Sequence, residues 1–244
     1  MVPELRAFAF AFFAFRPHVA PVEWCEANLH LSALVSEQPG PYSTRLFPYV
    51  REPLNSFGDN TTSDLVLCWG AQTTKTTTVS AGTLSRIANA PTPTLFVFPT
   101  SDNAQSFAES RLVPLFDSSD QLRRLKPKER DRFKKTEWLL STCNVNLVGS
   151  NSPANVASRP VGLLVCDEID KFSAGTAKEA GAIQLAVERT KAFQSAKRVY
   201  TSTPSTEDGG IWQLFQKGDQ RYYHCPCPHC NELIRFEWPQ VTWD

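Results

Sequence analysis

The chain has 244 residues, enough for one sizeable domain or for one domain and the start of another. Hydrophobic residues make up 41% and charged residues 20%, which excludes a disordered chain, and 25 basic residues balance 25 acidic ones, which excludes a general polycation. The longest apolar run, residues 5–15, is far shorter than the roughly 20 residues that span a bilayer, and no signal-peptide cleavage site follows it. We therefore expect no membrane segment, and a short docking helix at this run.

Residues 1–40 are predicted to form an N-terminal arm with one or two helices. Beyond it, short runs that are apolar on both faces alternate with helical patterns, which predicts an α/β fold: a mostly parallel sheet with helices on both faces. The predicted strands are 65–69, 94–98, 145–148, 162–165 and 198–200. The predicted helices are 76–88, 101–111 (capped by Ser101 and Asp102) and 178–195.

The loop after the first predicted strand opens a predicted helix, which is the context of a phosphate-binding loop. Such a loop holds phosphate with main-chain N–H groups, its lysine reaches the outer phosphates, and the next hydroxyl binds Mg²⁺. Lys75 and Thr76 fit the last two roles. Thr74 replaces the usual glycine before the lysine, which places a Cβ where phosphate must approach closely. The loop reads Trp69-Gly70-Ala71-Gln72-Thr73-Thr74-Lys75-Thr76.

The strand around residues 163–166 ends in the adjacent acids Asp167 and Glu168. A strand-end aspartate can hold Mg²⁺, and the following glutamate can orient and polarise the attacking water. Solvated acids at an exposed strand end are the alternative, but the phosphate loop in the same α/β pattern favours a nucleoside-triphosphatase core. Ser202 and Thr203 end the next strand, where ligands bind in open α/β sheets, unless they only form a turn stopped by Pro204.

A series of short motifs runs in one order from about residue 38 to the end of the chain. They are Pro41-Tyr42, Pro48-Tyr49-Val50-Arg51-Glu52-Pro53, Gly70-Ala71-Gln72-Thr73 with Lys75-Thr76, Pro99-Thr100, Arg111-Leu112, Asn151-Ser152-Pro153-Ala154, Ser158-Arg159-Pro160, Asp167-Glu168-Ile169-Asp170, Ser202-Thr203-Pro204, Asp219-Gln220-Arg221 and Cys227-Pro228-His229-Cys230. In this order they resemble the lambda-type large terminase subunit, the GpA family of phage packaging proteins.

The resemblance implies a P-loop ATPase that moves double-stranded DNA into a procapsid in the bacterial host cytoplasm. It further implies a small terminase subunit, a portal and assembly as a homo-oligomer. We expect an ATPase domain over 41–222 and a zinc-ribbon-like linker over 223–244. In the family a nuclease domain follows the motor, but no nuclease carboxylates can be assigned here, so we expect a motor portion without nuclease activity.

The same resemblance suggests a role for each candidate residue. Lys75, Asp167 and Glu168 are expected to be catalytic, and Tyr49 to contact adenine. Ser202 and Thr203 are expected to sense the γ-phosphate and couple hydrolysis to movement. ATP and Mg²⁺ are expected to bind at Gly70, Ala71, Gln72, Thr73, Thr74, Lys75 and Thr76.

A basic run from Arg123 to Lys135 holds eight basic residues against Glu129 and Asp131. Such a run can bind DNA phosphates in a salt-dependent way, although a solvated face is the commoner explanation. The DNA-contact candidates are Arg123, Arg124, Lys126, Lys128 and, before the acidic strand, Arg159.

Seven cysteines, three of them clustered, favour reduced thiols and a cytosolic compartment over a disulfide framework. Cys227 and Cys230 have the spacing of half a zinc site, with Cys225 or His229 available as a third ligand. Because structural zinc takes four ligands, Zn²⁺ binding and unliganded thiols both stay open.

Two other functions remain open from the sequence. A helicase-like DNA remodeller would share the nucleotide site but separate strands. A catalytically impaired prophage remnant, suggested by Thr74, would only bind DNA or assemble with partners.

Overall fold

The computed structural model of the chain describes residues 19–33, 36, 38–157, 159–172, 181–240 and 242. The expected docking helix at residues 5–15 lies outside this part. Helix α1 (Pro21–Asn28) begins with proline at its first turn and buries Val22, Trp24 and Cys25 in the main core. Strands β1 (His30–Leu31) and β2 (Gly40–Pro41) pair antiparallel, and a 3₁₀ turn (Pro48–Val50) leads into helix α2 (Arg51–Asn55).

Six strands form the main sheet in the described residues, in the order β3-β8-β7-β4-β6-β5. All neighbours are parallel except the edge strand β5, which runs antiparallel to β6. The predicted α/β fold is thus confirmed, and each predicted strand is present with slightly shifted ends. The strands are β3 (Asp64–Cys68), β4 (Thr94–Phe98), β5 (Glu137–Leu139), β6 (Asn144–Gly149), β7 (Leu163–Asp167) and β8 (Lys197–Ser202).

Helices cover both faces of this sheet because its central strands are apolar on both sides. On β4, Phe96 packs into the cluster that holds α1 and α3, whereas Leu95 packs into the cluster on the opposite face. The first face carries α3 (Lys75–Asn89), α4 (Ser101–Phe107), α5 (Val113–Asp117) and α6 (Asp120–Arg123). The opposite face carries α7 (Pro153–Val156), α8 (Ala182–Thr190) and α9 (Gly210–Lys217).

Two helix predictions need correction. The side chain of Thr100, not Ser101 or Asp102, caps α4 by accepting a hydrogen bond from the main-chain N–H of Asn103 at 3.2 Å. A π-helical turn (Ala108–Leu112) then joins α4 to α5. The predicted helix 178–195 ends at Thr190, and residues 178–180 lie outside the described part.

Two buried cations hold the amino end of the sheet. Arg86, on the last turn of α3, donates to the carbonyl oxygens of Phe57 (2.8 Å) and Ser195 (3.0 Å). Lys197, at the start of β8, donates to the carbonyl oxygens of Asp59 (2.7 Å) and Thr62. These bonds fix the loops that lead into β3 and β8, and therefore the register of the strands that carry the site.

Beyond β8, α9 is followed by a short antiparallel pair, β9 (Cys225–Pro226) and β10 (Leu233–Ile234). Among the described helices, none is both long and apolar enough to cross a bilayer. The expected domain boundaries at residues 40 and 222 stay predictions, although α1 lies within the main core.

Candidate functional site

The predicted phosphate loop, the acid pair and the Ser-Thr turn meet at one edge of the sheet. They follow β3, β7 and β8, and β8 lies between the other two strands. The main-chain N–H of Trp69 donates to the carbonyl oxygen of Ser202 at 3.4 Å, which ties the start of the phosphate loop to the end of β8. Three segments more than 30 residues apart in sequence thus share one site.

The phosphate loop has an unusual main-chain conformation. Gln72 and Thr74 have φ angles of 57° and 62°, in the left-handed region that β-branched residues rarely adopt. The Oγ1 atom of Thr74 is buried without a hydrogen-bond partner in the described structure. The main-chain N–H groups of residues 71–76 also have no acceptor among the described residues, and they lead into the N-terminus of α3. Such an array of donors attracts an anion.

The Lys75 ammonium closes the loop onto its neighbours. Its Nζ donates to the carbonyl oxygens of Trp69 (3.0 Å) and Gly70 (2.6 Å) and to Oγ1 of Thr203 (3.0 Å). Partial burial lowers the pKa of Lys75, while Asp167 and Glu168 oppose that shift. The lysine is therefore within electrostatic reach of both acids and in contact with the Ser-Thr turn.

The acid pair places its two carboxylates in different surroundings. Asp167 ends β7, and its Oδ1 accepts a hydrogen bond from Oγ1 of Thr201 on β8 at 2.8 Å. Burial raises the pKa of Asp167, and neighbouring Glu168 adds to the shift. Glu168 has a left-handed φ of 57°, and its Oε2 accepts from Lys171 Nζ at 3.0 Å near the surface. One acid is thus held against the sheet, and the other pairs with a lysine near the surface.

Tyr49 lies against the outside of the phosphate loop. Its hydroxyl donates to the carbonyl oxygen of Thr73 at 3.3 Å, and its ring lies 5.5 Å from that of Trp69, edge to face. Tyr223, which the sequence did not single out, lies 6.0 Å from Tyr49. Arg221 also pairs with Glu52 of α2, so the segment after α9 folds back to the loop.

The match to known families decides which protein class carries this site. The model of the phage terminase large subunit gpA ATPase domain matches residues 36–244. The chain belongs to this family. Membership confirms the resemblance drawn from the motifs. No curated protein matches the chain.

Solved terminase structures share the fold. The HK97 bacteriophage large terminase superposes with a TM-score of 0.63 at 11% identity, over 83% of this chain and 41% of that one. The Thermus phage P74-26 large terminase ATPase domain gives 0.51 at 13% identity, over 74% of each chain. A mutant of the latter domain gives 0.51 at 16% identity, over 82% of this chain and 79% of that one. The chain thus spans well under half of the HK97 protein.

The basic run of this terminase-family chain is partly neutralised by its own acids. Arg123 pairs with Asp120, and Lys126 bonds Asp117 at 2.6 Å while stacking 4.5 Å over the Phe133 ring. Arg159, at a distance in sequence, pairs with Glu137 at 3.1 Å. Arg124 and Lys128 are exposed and have no acidic partner in the described part of the chain, so they are the freest of the five candidates.

The cysteine cluster does not support a zinc site. Hydrogen bonds from the main chain of Cys230 and His229 lower the pKa of Cys227. Across the described residues, however, no three His, Cys, Asp or Glu side chains are grouped so as to hold a metal ion, and Cys225 does not complete one. Of the two alternatives that the spacing of Cys227 and Cys230 left open, the described residues give no support to Zn²⁺ binding.

Proposed function

We propose that this chain binds ATP with Mg²⁺ at the phosphate loop and hydrolyses it to move double-stranded DNA into a procapsid. The observation that carries the proposal is the contact of Lys75 with Thr203, beside Asp167, at the ends of three adjacent strands. It brings a phosphate-binding cation, a candidate sensor and a candidate magnesium ligand to one edge of the sheet.

The residues present fit a nucleoside triphosphate with its metal. The N–H groups of residues 71–76, which have no acceptor in the described structure, would bind the phosphates, and Lys75 would neutralise the outer ones. Thr76 and Asp167 would hold Mg²⁺, which supplies positive charge to the phosphate oxygens. Tyr49 would contact the adenine base from its place against the loop.

Glu168 would orient and polarise the attacking water. Its present partner is Lys171, but the pair is exposed, and exposed ion pairs contribute only about 0–1 kcal/mol. The carboxylate can therefore leave Lys171 at little energetic cost. Asp167 cannot move in the same way, because Thr201 and the sheet hold it.

The Ser-Thr turn would couple hydrolysis to movement through Lys75. In the present structure the Thr203 hydroxyl accepts a hydrogen bond from Lys75. When Lys75 turns to phosphate, that hydroxyl is released and can respond to the γ-phosphate. Ser202 would carry the response along β8, since its Oγ also accepts from the main-chain N–H of Asp170 at 3.4 Å.

The remaining parts of the proposal concern DNA and partners. Arg124 and Lys128 would contact DNA phosphates, with Arg123, Lys126 and Arg159 joining only if their acids release them. The chain would work with a small terminase subunit and a portal, as a homo-oligomer in the host cytoplasm. The ATPase domain would span 41–222.

ATP hydrolysis by the purified chain, measured with and without double-stranded DNA, tests the proposal. Glu168→Gln should lower turnover by at least about 100-fold and leave nucleotide binding intact, because a water-positioning group acts mainly in the chemical step. Glu207→Gln, an exposed acid after β8, is the matched control and should change nothing. A chain that neither binds nor hydrolyses ATP would contradict the proposal.

An impaired remnant is the second candidate, because Thr74 is both strained and left with a buried unpaired hydroxyl. It predicts nucleotide binding that is absent in the wild type and restored by Thr74→Gly. A helicase-like remodeller would instead displace a strand from a partial duplex.

A further inference from the structure

Asp170 lies two residues beyond the acid Glu168, on the 3₁₀ turn Ile169–Lys171. Its carboxylate accepts three hydrogen bonds from the segment that follows β8. Oδ2 accepts from the main-chain N–H (3.2 Å) and the hydroxyl (3.1 Å) of Ser205, and Oδ1 accepts from the main-chain N–H of Ile211 at 2.8 Å. One side chain therefore holds both the Ser-Thr loop and the first turn of α9.

The main chain of Asp170 makes a further link. Its N–H donates to Ser202 Oγ at 3.4 Å, so the 3₁₀ turn that follows Glu168 (the acid turn), the end of β8 and α9 all meet at this residue. A Cβ built on Gly209 would lie 2.5 Å from Oδ2 of Asp170, so a larger residue there would have to displace this carboxylate. The contact is built from both sides.

The bonding pattern is that of a charged cap on another segment's helix. The partners of the Asp170 carboxylate are N–H and O–H donors, and within the described ranges no lysine or arginine forms an ion pair with it. An ionised carboxylate at a helix N-terminus is favoured by the helix dipole and by charge-assisted hydrogen bonds. Loss of its charge would weaken all three bonds together.

Helix α9 can carry a displacement further. Ile211 is fully buried and packs in the same cluster as Ile169. At the other end of the helix, Phe215 contacts the Tyr222 ring at 5.5 Å, and the Arg235 guanidinium lies 3.8 Å from that ring. Contacts between surface side chains therefore connect α9 to the residue that follows β10.

We infer that Asp170 is a positioning residue that transmits the nucleotide state of the acid turn to α9 and the segment after it. The inference rests on the proposed function, since it assumes that nucleotide binds at the phosphate loop. Asp170 itself touches no reacting group. It would keep the Glu168 turn and the Ser-Thr loop in one arrangement, so that a change at either one moves α9.

The test uses the full chain with the nonhydrolysable analogue AMP-PNP and Mg²⁺, followed by hydrogen exchange. In the wild type we expect the analogue to slow exchange both at residues 70–78 and at residues 203–217. In Asp170→Asn the first effect should remain and the second should disappear, because an amide nitrogen cannot accept the bonds that the lost oxygen accepted. The matched control is Asp208→Asn, an exposed acid on the same loop, which should behave as the wild type.

Kinetics separate positioning from a general loss of structure. Loss of charge-assisted hydrogen bonds of this kind corresponds to about a 10-fold fall in kcat, and we expect KM for ATP within about 2-fold of the wild type. Gly209→Ala disturbs the same contact from the side of the loop, and it should likewise lower kcat while leaving KM for ATP nearly unchanged. Ser205→Ala, which removes one hydroxyl donor, should give it at a smaller size even if the other variants fold poorly.

Two results would overturn the inference, and they differ. If the analogue protects residues 70–78 and residues 203–217 as strongly in all three variants as in the wild type, Asp170 does not transmit the nucleotide state to α9, although the nucleotide site itself is supported. If residues 70–78 are unprotected in the wild type itself, the proposed function fails and the inference fails with it.

Discussion

Two lysines at opposite ends of the parallel sheet make similar hydrogen bonds in very different surroundings. Lys197, at the amino end, is 1% exposed and donates to two main-chain carbonyls, whereas Lys75, at the carboxyl end, donates to two carbonyls and the Thr203 hydroxyl from a partly exposed position. In the described residues neither ammonium donates directly to a carboxylate; Asp167 and Glu168 act to raise the pKa of Lys75, and Asp59 and Asp64 act to raise that of Lys197, where burial outweighs them. One cation is fixed in the fold, and the other can be transferred to a ligand.

The same contrast extends to the residues around each lysine. At the amino end, Arg86 also donates to two carbonyl oxygens, although its Nε is buried without a partner in the described structure. At the carboxyl end, Thr74 has an unpaired hydroxyl and a left-handed φ, and the loop N–H groups have no acceptor in the described structure. Backbone strain and unsatisfied groups of this kind concentrate at functional sites. Unpartnered buried atoms occur at both ends of the sheet, but the left-handed φ angles of Gln72, Thr74 and Glu168 mark the carboxyl end.

Replacing each lysine in turn by methionine should reveal the largest functional difference between the two ends of the sheet. Lys75→Met should lower kcat/KM for ATP hydrolysis by about 1000-fold, because it removes charge stabilisation of the outer phosphates. Its free energy of unfolding should change by less than about 1 kcal/mol, since the bonds it loses are near the surface. Lys197→Met should retain hydrolysis. Equal loss of hydrolysis in both variants, measured together with their chemical denaturation, would contradict the proposed difference between the two lysines.

The pH dependence of stability should single out Lys197. Burial, helped by the nearby Arg86, lowers the pKa of Lys197 from 10.5 to about 8. Between these values the unfolded chain binds more protons than the folded one, so this group makes stability rise with pH. From pH 8 to pH 10 the wild type should gain about 2 kcal/mol relative to Lys197→Met, as followed by urea unfolding.

Only the difference between the two proteins isolates this lysine. Burial raises the pKa of the Cys25 and Cys166 thiols, which makes stability fall as pH rises in the same range. Both proteins share that loss. If the difference in free energy of unfolding between the wild type and Lys197→Met stays constant from pH 8 to pH 10, Lys197 keeps its ordinary pKa in the folded chain.

The sequence predicted the carboxyl end of the sheet much better than the amino end. The strands and the phosphate loop could be predicted because apolar runs and Lys75-Thr76 are local patterns. Strand β5 was missed because its three residues, within a polar stretch, leave no period. The contacts of Lys197, Tyr223 and Asp170 join segments far apart in sequence, and no local pattern marks such pairs. The spacing of Cys227 and Cys230 is a local pattern, but whether other side chains complete a metal site depends on contacts that no local pattern shows.

The cost of keeping a charge at the carboxyl end should appear in Asp167→Asn. Because burial raises the pKa of Asp167, its ionised form opposes folding at neutral pH, whereas the asparagine oxygen can still accept from Thr201. We expect unfolding at pH 7 to require about 1 kcal/mol more in the variant, together with loss of hydrolysis. The gap should shrink as pH falls towards 3.8, the ordinary pKa, where the wild type is protonated too. A less stable variant would show that the ionised Asp167 carboxylate stabilises the folded chain through its contacts instead of opposing folding.

Thr74→Gly should give a small effect on stability and the clearest test of the phosphate loop. Glycine adopts a φ of 62° without the steric penalty of a β-branched residue and removes the buried unpaired hydroxyl. Because glycine also makes the unfolded chain more flexible, the net gain should be only about 0.5–1 kcal/mol, as a small rise in Tm. Thr73→Gly is the matched control, and it should only destabilise. A large gain in ATP affinity for Thr74→Gly alone would mean that the threonine restricts the nucleotide site; an unchanged affinity would mean that the phosphates lie clear of its Cβ and that the strain is tolerated without loss of binding.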